Sequence, residues 1–467
     1  MWRVQFLSLA LVTVAMGCAH ETTSIREFVT VDAATIALTH VRVIDGTGAQ
    51  SRADQTIVIR DGHIADIGDT KTIVPPSNAQ IFDLPGRTVV PGYVMLHEHL
   101  SFTPDGTGEV SVRFSFPRLY LAGGATTIRT GGSAGLKDDL ALKHAIDQKE
   151  IPGPNIDAPS PYLDKLPISW PFQSRHSRGR TRATNWASRG ATSFKVYDQM
   201  TREELAGVIE AAHERQLKVS GHLCAVTFAE AAELGIDSIE HGIWTATDFV
   251  TDKEPDVCPP SNIALGAVLS AQQWQIEKLI HKLVGRGVAV TSTLATFETF
   301  LANREPAPPE AIDLLDDGIR QRYLQHRAEL AAKPPTRVWH QLFEKEMAFE
   351  LAFVKAGGLL VAGSDPTGHG GVVAGFSNQR QIQLLVEAGF TPVEAIRIAT
   401  LNGARALGRD AEIGSIAKGK RADLVVIRGN PEEEISDVKQ VETVFKDGIG
   451  YDPAKIRASV KGVVGVQ

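Results

Sequence analysis

The stretch "ATSFKVYDQM", residues 191–200, sets one lysine inside an apolar run. Phe194, Lys195, Val196 and Tyr197 read as a short strand. An ammonium group in a core is costly unless it is paired or neutralised. The everyday solution is an edge strand whose lysine reaches back to water. The flanking sequence decides whether that solution applies here.

On both sides the chain alternates apolar strands with helical stretches. Candidate strands are 88–96, 125–131, 153–158, 192–197, 217–222, 236–241, 287–293 and 359–364. Helical patterns such as "TREELAGVIEAAHERQ" and "TFAEAAELG" lie between several of them. Eight strands at this rhythm predict an α/β chain built on a parallel (β/α)8 barrel, whose chemistry belongs at the C-terminal strand ends. Residues 36–90 and 411–450 are of another kind. They hold short β-branched runs punctuated by Asp-Gly and Gly-Thr-Gly turns. The segments 243–285 and 296–350 each follow a barrel strand, which suits lids over the mouth.

With 467 residues, 43% hydrophobic and 22% charged, the composition is that of an ordinary globular protein. A net charge of −7 gives no reason to expect nucleic acid as a partner. Three cysteines, Cys18, Cys224 and Cys258, are too few for a disulfide framework, and no pair has metal-site spacing. The opening "MWRVQFLSLALVTVAMGCAH" reads as an export leader, residues 1–17, with one basic residue, an apolar run and small residues at Ala15 and Gly17. Cys18 after Gly17 also suits lipoprotein processing, although Ala15 stands where leucine is usual. A periplasmic protein and one anchored through a lipid on Cys18 both remain open, as does the oligomeric state.

Lys195 then acquires company. "LHEHL" supplies His97 and His99, which share a strand face as i and i+2, so both imidazoles can reach one metal. His222 in "VSGHL", His241 in "SIEHG" and Asp365 in "LLVAGSDPTG" each end an apolar strand. Singly, such histidines are satisfied core or loop residues, and such an aspartate is a helix cap. Jointly they put six metal-competent or ionisable groups at the ends of strands 1, 4, 5, 6 and 8.

This set resembles the amidohydrolase superfamily, in its binuclear branch with a carboxylated lysine. "VVPGYVMLHEHL", "GATTIRTGG", "TSFKVY", "SIEHG", "GSDPTG" and the closing "TPVEAIRIATLNGARALG…IGSIAKGKRADLVVIRGNP" carry the likeness over nearly the whole mature chain. The resemblance implies a barrel over 91–405 and a small β-sandwich pairing 30–90 with 406–455. It further implies that Lys195 reacts with CO2 to give a carbamate bridging two divalent metals. By carry-over His97, His99 and Asp365 bind the inner ion, and His222 and His241 the outer one. Zinc suits a histidine-rich set. A hydroxide between the ions would be the nucleophile, and Asp365 would take its proton and pass it to the leaving amine. Met95 replaces the aspartate common two residues before the first histidine. Thr130 stands where an Arg-Asp pair is common, leaving Arg129 alone.

Substrate signals are thinner. Tyr197 shares the face of Lys195 and could donate a hydrogen bond, or simply pack at the rim. His369 follows the last strand and is a candidate substrate contact. Arg129 and the basic run "SRHSRGRTR", 174–182, read as a loop, could meet a substrate carboxylate or merely be solvated. The sequence therefore predicts hydrolysis of a C–N amide bond in a small molecule such as a dipeptide or N-acyl amino acid. The alternatives are a lactonase or phosphotriesterase on the same site, an imidazolonepropionase-like cyclic amide hydrolase, and a non-catalytic binding protein on a decayed barrel.

Overall fold

The computed structural model describes residues 25–102, 110–165, 174–305, 307–332, 337–366 and 371–465. The export leader, Cys18 and His369 lie outside these described residues. Eight parallel strands run through the middle of the chain: β1 Tyr93–Glu98, β2 Ala125–Thr130, β3 Asn155–Asp157, β4 Ser193–Val196, β5 Lys218–Gly221, β6 Ser238–Glu240, β7 Ala289–Ser292 and β8 Leu360–Ala362. They pair as two arcs, β3-β2-β1 and β4-β5-β6-β7-β8. Parallel bridges Pro159↔Ser193 and Leu163↔Val196 connect the arcs on one side. On the other, the Asp365 amide donates to the His97 carbonyl at 2.9 Å. Gly363 permits that approach, because a Cβ there would sit 2.5 Å from His97 Cβ.

These strands are apolar on both faces, as parallel strands covered by helices must be. All six residues of β1 are buried. The covering helices are well specified locally. Thr201 and Thr227 each close a capping box, with Glu204 and Glu230, at the start of α1 Arg202–His213 and α2 Phe228–Leu234. Later α3 Gln273–Gly285 and α4 Arg337–Lys355 follow β6 and β7, and α5 Phe376–Glu387 follows β8.

Three expectations change in detail. The run 88–96 is not one strand. Arg87–Pro91 belongs to the outer sheet and Tyr93–Glu98 to the parallel set. The break falls at Gly92, where a Cβ would collide with the Thr126 side chain at 2.1 Å. Strands from both chain ends do pair, as one nine-stranded mixed sheet rather than two described layers. The strand 424–428 pairs with 87–91 in that sheet, and Ile36, Leu38, Ile57, Val89, Leu424, Val426 and Phe445 share one apolar cluster. The basic run also differs from its reading as a loop. Arg175–Ala187 is a helix.

Candidate active site

The proposed donors gather at the C-terminal ends of the parallel strands, around a cavity of about 780 Å³. His97 lies within β1 and His99 follows it. His222 and His241 directly follow β5 and β6, and Lys195 lies in β4. These five, with Asp365, line the cavity. Asp365 is the hub. Its Oδ1 is 2.9 Å from His99 Nε2 and 3.5 Å from His97 Nε2, and its Oδ2 is 3.9 Å from His241 Nδ1. Ring centroids of His97 and His241 are 4.6 Å apart, and those of His222 and His241 4.7 Å. His97, His241 and Asp365 form the tightest group, with donor atoms within 4.8 Å of one another. That group crosses the expected division, which put His241 with His222 on the other ion. The Asp365 carboxylate draws rings from both sets toward itself.

Backbone strain marks the same places. His241 and Asp365 have φ of 69° and 46°. Left-handed backbone on a non-glycine residue costs on the order of 1 kcal/mol, and clusters at functional sites. Room is made as well: a Cβ on Gly131 would meet His97 Nε2 at 2.5 Å.

Glu240 was not singled out in the sequence, and it ties this floor together. It is fully buried at the end of β6. Its Oε2 accepts from His97 Nδ1 at 2.8 Å, which leaves His97 Nε2 facing Asp365. Its Oε1 accepts from Arg129 at 3.1 Å and lies 3.7 Å from Lys195 Nζ. Burial opposes charge on Glu240, yet Lys195, His97 and Arg129 outweigh it and hold the carboxyl well below its usual range. Burial lowers Lys195, against the pull of Glu240. Among the described residues its Nζ has no hydrogen-bond partner. Burial pushes His222 down to about 3 and carries His241 and His99 down as well. A neutral imidazole with a free lone pair is the form that ligates a metal.

Tyr197 lines the cavity, its ring 4.8 Å from that of His222. Burial, then neighbouring carboxylates, raise it to about 12, so the phenol keeps its proton. Asp198, beside it, also lines the cavity and places Oδ1 3.5 Å from His222 Nε2.

The arginines are not brought to the cavity. Arg129 is buried, donating to the Leu96 carbonyl and to Glu240. Along the helix Arg175–Ala187, Arg178 meets Glu204, Arg180 meets Glu210 and Glu214, and Arg182 donates to the Asp164 carbonyl. The expectation of Arg129 as a substrate contact is therefore corrected: it balances Glu240. The cysteines, too few for a framework, still supply one bridge that was not anticipated: Cys224 and Cys258, which line the cavity, form a disulfide across 34 residues.

Comparison with known proteins agrees with this arrangement. The sequence profile of the amidohydrolase family matches residues 88–449. The imidazolonepropionase of Clostridium tetani is 30% identical over 416 residues, covering 84% of this chain and 89% of that protein. The imidazolonepropionase of Nocardia farcinica is 42% identical over 76 residues, a stretch spanning only 16% of this chain and 19% of that relative's length. The crystal structure of a Xaa-Pro dipeptidase with bound methionine superposes with a TM-score of 0.65 at 20% identity, covering 90% of this chain and 100% of that one; this likeness is one of fold. The chain belongs to the amidohydrolase family, a class of hydrolases acting on amide-type carbon–nitrogen bonds.

Proposed function

We propose that this chain hydrolyses the C–N amide bond of a small molecule with the help of two divalent metal ions. The observation carrying this reading is the convergence of six donor groups from five strand ends on one cavity, with a buried lysine amine that has no hydrogen-bond partner among the described residues. The imidazoles of His97, His99, His222 and His241 and the Asp365 carboxylate are an N/O donor set suited to zinc. When bound, such ions polarise a carbonyl and lower the pKa of water.

The chain's own groups have definable roles. Burial favours the neutral amine of Lys195, which can attack CO2. The N–C bond forms, a proton leaves, and an anionic carbamate replaces a costly cation. Glu240 fixes the tautomer of His97 by accepting from Nδ1. Asp365 takes a proton from the attacking water on its carboxylate and returns it to the leaving nitrogen. Tyr197, protonated, donates to the developing oxyanion.

The two parallel arcs are read as one (β/α)8 barrel over 91–405, with 30–90 and 406–455 as its companion domain. Export of the chain, with cleavage before Cys18, is supported by the Cys224–Cys258 disulfide, since such bonds persist in oxidising compartments. The likeness to an imidazolonepropionase favours a second reading, hydrolysis of a cyclic amide. A binding protein on a decayed barrel is disfavoured because all six donors are present.

The test is metal-loaded protein against linear amides, cyclic amides, lactones and phosphotriesters. Amine release that a chelator stops and added metal restores is expected. Turnover confined to lactones or phosphotriesters overturns the reading.

A further inference from the structure

An unbroken series of ring contacts surrounds the metal-binding floor. Tyr162 meets Tyr197 at 5.1 Å, Tyr197 meets His222 at 4.8 Å, and His241 meets Phe297 at 5.9 Å. Phe297 stacks on Trp244 with centroids 4.0 Å apart and an interplanar angle of 7°. Trp339 lies behind, 5.8 Å from Trp244 and 5.3 Å from Phe300, both in stacked geometry. Trp244, Phe297 and Phe300 line the same cavity as the donors, joined by Ala264 and Leu265. Phe300 is 39% exposed, so its ring has apolar area left to bury.

The charge pattern is as informative. Among the described residues lining the cavity, Lys195 is the only lysine and there is no arginine. Among the described lining residues, the one carboxylate apart from Asp365 is Asp198. A substrate carboxylate beside this wall would meet aromatic faces and an anion, with no guanidinium to grip it. An aromatic ring there would gain offset or edge contacts and leave water.

We infer that the substrate of this site is an amide bearing an aromatic ring, with no carboxylate on that part, and that Phe300 with Trp244 and Phe297 selects it. This rests on the amidohydrolase reading above and narrows its substrate class away from dipeptides with a free carboxylate.

Two measurements separate the claims. The first is kcat/KM of metal-loaded enzyme for N-acetyl-phenylalaninamide, N-acetyl-alaninamide and N-acetyl-phenylalanine. The neutral aromatic amide should lead N-acetyl-alaninamide by about tenfold, a ring contact's worth of discrimination, and should also lead N-acetyl-phenylalanine, whose ring is the same but whose carboxylate finds no cation among the described lining residues. Phe300→Ala should raise KM for it by about fivefold or more, with a smaller rise for the alanine compound and little change in kcat. Phe300→Leu, which keeps apolar bulk, should fall between. The second is saturation-transfer NMR with 2-phenylethanol, which has the ring but no amide. It should bind wild type and bind Phe300→Ala several-fold more weakly.

If alanine or carboxylate substrates match the aromatic one and Phe300→Ala treats all three alike, the inference is overturned while the hydrolase reading stands. If 2-phenylethanol binds as described but no amide is turned over, the hydrolase reading fails and the aromatic site survives without its amide. If neither occurs, both fall.

Discussion

At the floor of the cavity, Asp365, His97, Glu240, Arg129 and Lys195 form a chain of buried polar contacts between 2.8 and 3.7 Å. On the wall above, Trp244 stacks on Phe297, Phe300 and Trp339, and Phe300 stacks on Trp339. The floor is assembled from strand ends whose positions the parallel pairing fixes. The wall comes from the short helical turns Gly242–Thr245 and Leu294–Glu298 that follow β6 and β7, from Phe300 just beyond the second, and from α4. The two regions therefore answer to different forces. Electrostatic pairing in a dry setting governs the floor, where losing one partner exposes another's charge. Apolar burial governs the wall, where losses are graded by area.

The largest effects should come from the floor. Lys195→Ala removes the only group there that can become a bridging anion. Elemental analysis should find about two ions per wild-type chain and fewer than one in the variant, with turnover lost. A single tightly held ion in wild type defeats the paired-metal reading. Asp365→Asn keeps a ligand oxygen but cannot accept a proton. It should lower kcat by roughly 10²-fold or more, and near-normal turnover would remove Asp365 from the proton path. Glu240→Gln should be milder for catalysis. Its amide can still meet His97, yet Arg129 loses its counter-charge. We expect metal affinity to fall about 10- to 100-fold and stability by about 3–5 kcal/mol, with Glu240→Asp recovering part of the affinity. A Glu240→Gln protein that binds metal and unfolds like wild type would mean that Glu240 does not organise the floor.

The contrast also explains what the sequence made legible. His97, His99, Lys195, His222, His241 and Asp365 could be read because each polar group interrupts or ends an apolar run, and alternation in β1 puts the first two on one face. Glu240 was harder to see because it stands next to His241, and strict alternation sends neighbours to opposite faces. The chain turns at His241, with φ of 69°, so alternation stops there. A usable signal was the pair of opposite charges, Arg129 and Glu240, inside the ends of two otherwise apolar strands. The arginines of 174–182 misled because a basic run carries no record of its partners. Once helical, it turns Arg178 and Arg180 onto Glu204, Glu210 and Glu214. The wall left no local pattern, since its rings meet only after the loops following β6 and β7 fold back.

The disulfide tests whether the wall is held or merely packed. Cys224 follows His222 by two residues, and Cys258 ends the loop that begins after Trp244. Closing a 34-residue separation should stabilise the folded chain by about 4 kcal/mol on loop entropy. A Cys224→Ser, Cys258→Ser double variant should unfold at a lower temperature than oxidised wild type. Reduced wild type should match the variant. Equal midpoints for oxidised wild type and variant would show that the wall needs no tether.

The smallest effect should lie beneath the wall, where α4 carries two buried acids. Glu346 accepts the Trp244 amide at 2.9 Å, and Glu350 lies one turn further on. Burial raises both, with the neighbouring Glu350 charge adding to the rise on Glu346, and takes Glu350 up to about 8. A carboxyl whose folded pKa exceeds its unfolded value binds protons more tightly when folded. Its stabilising contribution is complete below the unfolded pKa, near 4.5, and is lost as pH rises toward about 8. The pair titrates together, so the loss belongs to both residues. Denaturant unfolding at pH 6, 7 and 8 should show wild-type stability falling by at most about 1.4 kcal/mol per pH unit for one proton. In Glu350→Gln the slope should flatten, since the amide neither ionises nor repels Glu346. The wall should register the same change through Trp244, whose amide is held by Glu346, as a pH-dependent shift in fluorescence that the variant lacks. An unchanged slope in Glu350→Gln would show that these acids are already ionised below neutrality and that the wall rests on packing alone.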